Sequence, residues 1–346
     1  MSEHAARRDT ALRMRLAAVG LAVALPCSAV TVASHVSAAG AQATATKVVT
    51  ANYELTAAIN EANTNIAISD YSLYGESLED MNKELDLMQS MGVTDVRVSI
   101  PWDDIQKSAG TFDWSKLDTV VDAVEARGMG FLGIVHQTPK WASASPYSIF
   151  SAATVPKDMN TLATFASALA TRYAGRIAGY EMYNETNFGL SFRPTNGTAY
   201  AAVLKAVYPV IKAADPNALV IGGVVATTPE IAGLTLTPAQ LVKQMYDAGA
   251  KDYFDALSYH AYQYGVAFSE GANVKNTALW QLLSLRDLMV QYGDGDKEIW
   301  GTEFGQPSTG GAEAAQVALI SNFLTTWRTY SWTGPVFVHT VLDKDS

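Results

Sequence analysis

The sequence predicts a (β/α)8 TIM barrel, an α/β fold in one domain, on three observations. From about residue 65 onward, eight short β-branched or apolar runs alternate with seven longer amphipathic stretches, the pattern of a parallel sheet built from βα units. Eight strands with intervening helices fit into about 280 residues, the size a closed barrel of this type requires. Three histidines and two carboxylates fall at or near the C-terminal ends of the expected strands, the end where such barrels carry their chemistry. An open doubly wound sheet is the competing arrangement, because periodicity does not establish closure.

The elements follow in order. A strand over residues 65–69 leads to a helix over 78–91, stopped by Gly92, and a strand over 94–100 leads to a helix over 114–127, stopped by Gly128. Glycine after the last helical turn is the expected stop signal. Strands over 130–136, 178–183 and 219–224 are followed by helices over 159–173, 200–214 and 238–248. The last units are a strand over 254–262, a helix over 277–292 stopped by Gly293, a strand over 298–303, a helix over 313–329 and a strand over 335–341. The sequence stops at Ser346, so the last helix is expected to be missing. An uncovered seam between the last and first strands would expose apolar surface, and an N-terminal extension over 44–64 is available to cover part of it. The barrel domain is expected over 65–346.

Arg7, Arg8, Arg13 and Arg15 precede an apolar stretch from Leu16 to Leu25 and then small residues through Ala43. This is the layout of a secretory signal peptide over 1–43, with cleavage expected between about 38 and 43. Pro26, Ser28, Thr31, Ser34 and His35 interrupt the run, which is short of the ~20 apolar residues needed to span a bilayer. Export to the extracellular space or cell envelope is therefore expected, without stable membrane insertion. The only cysteine, Cys27, lies inside this segment. The processed chain is then expected to use no disulfide, thiolate nucleophile or thiolate metal ligand.

The net charge is −10, and the first 38 residues carry four arginines against Glu3 and Asp9, leaving −12 for the remainder. An acidic surface argues against nucleic acid and anionic lipid as partners. A neutral carbohydrate meets no such barrier, and a monomer is expected.

Glu185 in Tyr183-Asn184-Glu185-Thr186-Asn187 and Glu303 in Gly301-Thr302-Glu303-Phe304-Gly305 each end a short apolar run. Two acids at the rim of one barrel point to acid/base work on one bond. His136, His260 and His339 fall at the same end, favouring a rim role over satisfied core histidines. Arg97, between Val96 and Val98, is expected to face a carboxylate inside the barrel mouth, since a charge in such a strand is almost never buried unpaired. Glu181, deep in the fourth strand, is expected to be a structural partner for Arg97 or another buried donor, and Glu298 and Asp255 belong to the opposite end of the barrel. Trp102, Trp141, Phe188, Phe192, Tyr262, Tyr264 and Phe304 follow strand ends. Together they favour a cleft for sugar rings, whose C–H faces stack on aromatic side chains.

With these motifs placed, the chain resembles retaining glycoside hydrolases of the large (β/α)8 clan, in particular bacterial cellulase-family and family 39-like or family 5-like glycosidases. The matching stretches are Val96-Arg97-Val98-Ser99-Ile100-Pro101-Trp102, Thr138-Pro139-Lys140-Trp141-Ala142, the Glu185 and Glu303 motifs, and Ser258-Tyr259-His260-Ala261-Tyr262. The resemblance implies Glu185 as general acid/base, Glu303 as nucleophile and Asn184 on the sugar 2-hydroxyl. It also implies that Arg97, His260 and Tyr262 orient the nucleophile, with Trp102, His136, Trp141 and His339 as further substrate contacts. No cofactor or metal is implied. Thr186 stands where many relatives carry proline, and Val338-His339-Thr340 stands where relatives often present a sugar-stacking tryptophan.

Two other functions fit the same residues. His136, His260 and His339 with one carboxylate could hold zinc in a metal-dependent hydrolase. A catalytically inactive carbohydrate-binding homologue would keep the cleft without the chemistry.

Overall fold

A computed structural model describes residues 58–308 and 312–342, all within one compact unit spanning Tyr53–Ser346. The signal-peptide expectation over 1–43 lies outside the described residues. Eight parallel strands close into a barrel in sequential order, which excludes the open doubly wound sheet. They are β1 (Ile66–Ser69), β2 (Asp95–Pro101), β3 (Gly130–His136), β4 (Gly179–Met182), β5 (Leu219–Ala226), β6 (Ala256–His260), β7 (Ile299–Phe304) and β8 (Thr333–His339). Closure runs through β8 and β1, with Ile66 opposite Val336 and Ser69 opposite His339.

Among the described residues seven helices of ten residues or more lie between the strands: α1 (Leu78–Ser90), α2 (Ser115–Glu125), α3 (Met159–Arg172), α4 (Gly197–Ala214), α5 (Pro238–Asp247), α6 (Ala278–Gln291) and α7 (Glu313–Trp327). Their starts are fixed by side-chain caps. Ser77, Asp158, Asn196, Thr237 and Thr277 each accept from a first-turn backbone N–H, satisfying donors the helix itself leaves open. Gly92, Gly128 and Gly293 follow three of the helix ends at φ between 63° and 82°, a region open to glycine at no steric cost. Among the described residues no helix follows β8, and none is long and apolar enough to cross a membrane.

Ala67, Leu132, Ile221, Ala256, Trp300 and Phe337, from six strands, fill the barrel interior near its base. Ile59 joins this cluster, and the Asn63 amide donates to the Tyr330 carbonyl at 3.1 Å. The described part of the N-terminal extension therefore closes the barrel floor and binds the turn before β8. Glu298 and Asp255 lie at this lower end, where Glu298 accepts from Trp300 Nε1 and Asp255 from Tyr208 and the Val220 N–H.

At the upper end, β7 and β8 touch through Gly305. A Cβ there would stand 2.1 Å from the His339 carbonyl oxygen, an approach that only glycine permits. Gly305→Ala is expected to displace the end of β8 and cost about 1–3 kcal/mol, read as a lowered urea midpoint with unchanged slope.

Candidate active site

The fourth strand ends earlier than its apolar run because the chain turns sharply. Tyr183 and Glu185 have φ values of 62° and 45°, a left-handed conformation that costs side-chain-bearing residues about 1 kcal/mol or more each. Contacts from three directions hold it. Tyr183 N–H donates to the Val135 carbonyl at 2.7 Å, and its hydroxyl lies 2.8 Å from Thr138 Oγ1. Thr186 donates from its N–H to Val224 O and from its hydroxyl to Gly223 O, at 2.9 and 2.5 Å. The Asn187 amide is buried against Ala226, Thr228 and Leu236. The turn lifts Asn184 and Glu185 over the barrel mouth while its other residues stay anchored.

Glu303 stands on β7 opposite His260 on β6. The residue is 6% exposed, and its carboxylate is nearly surrounded. Oε1 accepts from Arg97 Nη1 and from the Tyr71 hydroxyl, each at 2.7 Å, and Oε2 accepts from the Tyr262 hydroxyl at 3.2 Å. His260 Nδ1 lies 3.6 Å from Glu303 Oε2 and 3.3 Å from Glu185 Oε1, so one imidazole faces both acids. The nearest carboxylate oxygens of Glu185 and Glu303 are within 4.8 Å of each other. Residues 118 positions apart in sequence thus meet across one mouth.

Arg97, wholly buried on β2, organises this cluster. Its Nε donates to Glu181 Oε2 at 2.7 Å, Nη1 also reaches Ser69 Oγ at 3.0 Å, and Nη2 donates to Asn184 Oδ1 at 3.0 Å. Two buried carboxylates therefore share one guanidinium. Because Asn184 Oδ1 also faces the Tyr71 hydroxyl at 2.8 Å, the amide nitrogen is the end left to face the cleft. Burial by itself would raise the Glu303 carboxyl. His260, Arg97, His339 and the Tyr71 hydroxyl outweigh it and hold the group at about 2, ionised at any ordinary pH. The Tyr71 and Tyr262 hydroxyls shift the other way, raised by burial and, further, by the Glu303 charge, so both remain donors.

His136, at the end of β3, sits with Nε2 2.7 Å from Ser99 Oγ and its ring edge against Tyr71. Burial, then the Arg97 charge, pulls it down to about 4, so it is neutral at pH 7. The ordinary value of 6.5 applies after unfolding, so the unfolded chain binds the extra proton between pH 6.5 and 4. Stability is therefore expected to fall as pH drops through that window, by up to roughly 3 kcal/mol from this group. Urea midpoints measured from pH 7 to 4 should decline less steeply in His136→Gln than in the wild type. Identical slopes would exclude His136 as the source.

Tyr71 is the main residue that sequence reading passes over. It lies two positions beyond β1, at the same end as every other site residue, so its location was the available signal. Its hydroxyl, however, resembles any loop tyrosine until Glu303 is brought to it.

The expected aromatic cleft needs correction. Trp102 is 1% exposed, stacked on Phe165 and edge-on to Trp141, so its faces are taken and no sugar can stack there. Phe192 and Phe304 are likewise core residues. Trp141 keeps a partly open ring in a separate rim cavity of about 450 Å³ with Lys107, Lys140 and Tyr147. His339, whose Nδ1 donates to the Ser69 carbonyl at 3.1 Å, is edge-on to Tyr71 beside the acids.

The three imidazoles do not converge as metal ligands. Among the described residues, the group that reaches ligating range is Glu185, His260 and Glu303. Arg97 already compensates Glu303 there at 2.7 Å, and a cation bound to the same oxygen would face it as a like charge.

The sequence of residues 53–334 matches the family model for cellulase, glycosyl hydrolase family 5. The chain belongs to this family. Solved structures similar to this family 5 chain include a family 39 glycoside hydrolase from the gut symbiont Bacteroides cellulosilyticus WH2. It has a TM-score of 0.63 and 19% identity, over 81% of this chain and 56% of that one. A monomeric beta-xylosidase from Caulobacter crescentus CB15 matches with a TM-score of 0.62 and 17% identity, over 83% and 62%. Xylanase 10B from Thermotoga petrophila RKU-1 matches with a TM-score of 0.55 and 14% identity, over 80% and 82%. These likenesses concern the fold, and the family 5 chain spans less than two thirds of the first two structures. No curated protein matches the sequence.

Proposed function

We propose that this chain is a secreted, monomeric glycoside hydrolase that cleaves β-linked O-glycosidic bonds of a poly- or oligosaccharide by retaining double displacement. The observation that carries the reading is the approach of Glu185 and Glu303 to within 4.8 Å between carboxylate oxygens. Retaining sites hold their carboxyl groups about 5–5.5 Å apart, whereas inverting sites need about 6.5–9.5 Å to admit a water.

In this reading the ionised Glu303 attacks the anomeric carbon as the bond to the leaving oxygen breaks, and Glu185 gives that oxygen its proton. Glu185 then takes a proton from water, whose oxygen displaces Glu303 and releases the sugar with its configuration kept. Asn184 offers its amide nitrogen to the 2-hydroxyl. Arg97, Tyr71, Tyr262 and His260 keep Glu303 ionised and aimed, while His136 and His339 contact the sugar and Trp141 meets a more distant ring of a longer chain in its rim cavity. The basic, apolar and small-residue layout of the first 43 residues supports export.

Glu185→Gln is expected to slow hydrolysis of substrates with poor leaving groups by about 10²–10⁴-fold, the range for general acid catalysis. Aryl glycosides with activated leaving groups should suffer less in the first step, and azide should restore turnover by replacing water without needing a base. Wild-type rates on poor leaving groups would remove the assignment, and chelator-sensitive activity would favour a metal instead.

A further inference from the structure

A second cavity, of about 570 Å³, opens at the same end of the barrel between the loops that follow β3, β4 and β5. Ser145, Ser148, Thr154, Asn196 and Thr235 line it with hydroxyl and amide groups, and Arg193 supplies its one charge. That arginine differs from the others. Every other arginine among the described residues donates from its side chain to an acid or a carbonyl. Among the described residues Arg193 makes no such bond, and its Nε is buried without a partner. One guanidinium face lies 4.0 Å above Phe150, and its backbone is tied to Ala153 and Val155, so the group is held in place with its hydrogen-bonding edge unused. Phe150 also lines the adjoining cavity of about 290 Å³ that contains Tyr71, His136 and Asn184.

We infer that Arg193 and its cavity bind an anionic substituent of a glycan, a uronate carboxylate or a sulfate or phosphate ester, beside the cleavage site. A planar guanidinium presents a fork that matches such groups two bonds at a time, and the hydroxyl lining suits the rest of a sugar ring. On a chain of net charge −10, an uncompensated arginine at the rim favours anionic over neutral chains. That the ligand is a glycan rests on the glycosidase reading, whereas the anion site itself does not.

The test is calorimetric titration of the full chain with glucuronate, glucose 6-sulfate, glucose 6-phosphate and glucose. At least one anionic sugar is expected to bind about tenfold more tightly than glucose, the effect of one charge-assisted contact. That preference should shrink in high salt and vanish in Arg193→Met, which keeps the side-chain volume. Glu303→Gln should retain it, separating this site from the catalytic centre, and the rank of the three anions names the substituent. Equal binding of glucose and all three anions, or a preference that survives Arg193→Met, overturns the inference. If Arg193→Met does not fold, the wild-type preference and its salt dependence still decide. Failure of the glycosidase reading would appear separately, as absence of wild-type turnover on neutral and on anionic glycosides alike.

Discussion

Replacing Glu303 with glutamine is expected to lower turnover of an aryl β-glycoside by about 10⁴-fold or more, because in the proposed mechanism this carboxylate forms the covalent bond. The change is nearly isosteric, and Arg97, Tyr71 and Tyr262 surround the position, so substrate binding should persist while kcat collapses. In Glu303→Ala, which empties the position, azide should restore the activity with inversion, since a small anion can then attack from the face the carboxylate leaves. Product configuration read by NMR distinguishes this from contamination by wild-type enzyme, which gives retention. Turnover within tenfold of wild type would remove Glu303 from the chemistry.

Arg97→Met carries the largest expected loss of stability. One buried guanidinium serves both Glu181 and Glu303, and removing one partner of a buried pair strands the other at about 3–5 kcal/mol. The pH dependence should change with it. In the wild type the Glu303 carboxyl, held at about 2 against an ordinary 4.5, adds stability that is present above pH 4.5 and lost as pH falls through 2. Without Arg97 the carboxyl rises, so that loss begins at higher pH. The acidic limb of kcat/KM, which needs an ionised nucleophile, should shift upward in parallel. A variant with wild-type midpoint and an unmoved acidic limb would show that Arg97 compensates neither acid.

Much of the site was legible in advance because chain position and chemistry coincide. Glu185, Glu303, His260 and Tyr262 all fall at or just beyond strand ends, and in a parallel barrel every such end opens on one face. Arg97 could be assigned an acidic partner because an unpaired charge between valines has no stable place. The aromatic residues were less legible. Trp102 and Phe304 also follow this rule, yet they turn into the core, since a strand end fixes where a residue lies and not which way a large ring points. Thr186, which the sequence marks only as standing where many relatives carry proline, anchors the strained turn beneath the acid, a role set by the Gly223 carbonyl on a neighbouring strand.

The sequence by itself determined the number and order of the strands, and the barrel end at which the candidate residues and the two acids gather. Local patterns encode these, because burial repeats along each element and helix stops are written in single residues. Only the tertiary structure decided that the barrel closes, that the two carboxylates approach within 4.8 Å, that Tyr71 serves Glu303, and that Arg193 meets no acid among the described residues. Each of these is a meeting of residues distant in the chain, fixed by packing and register, and no local pattern carries such a distance.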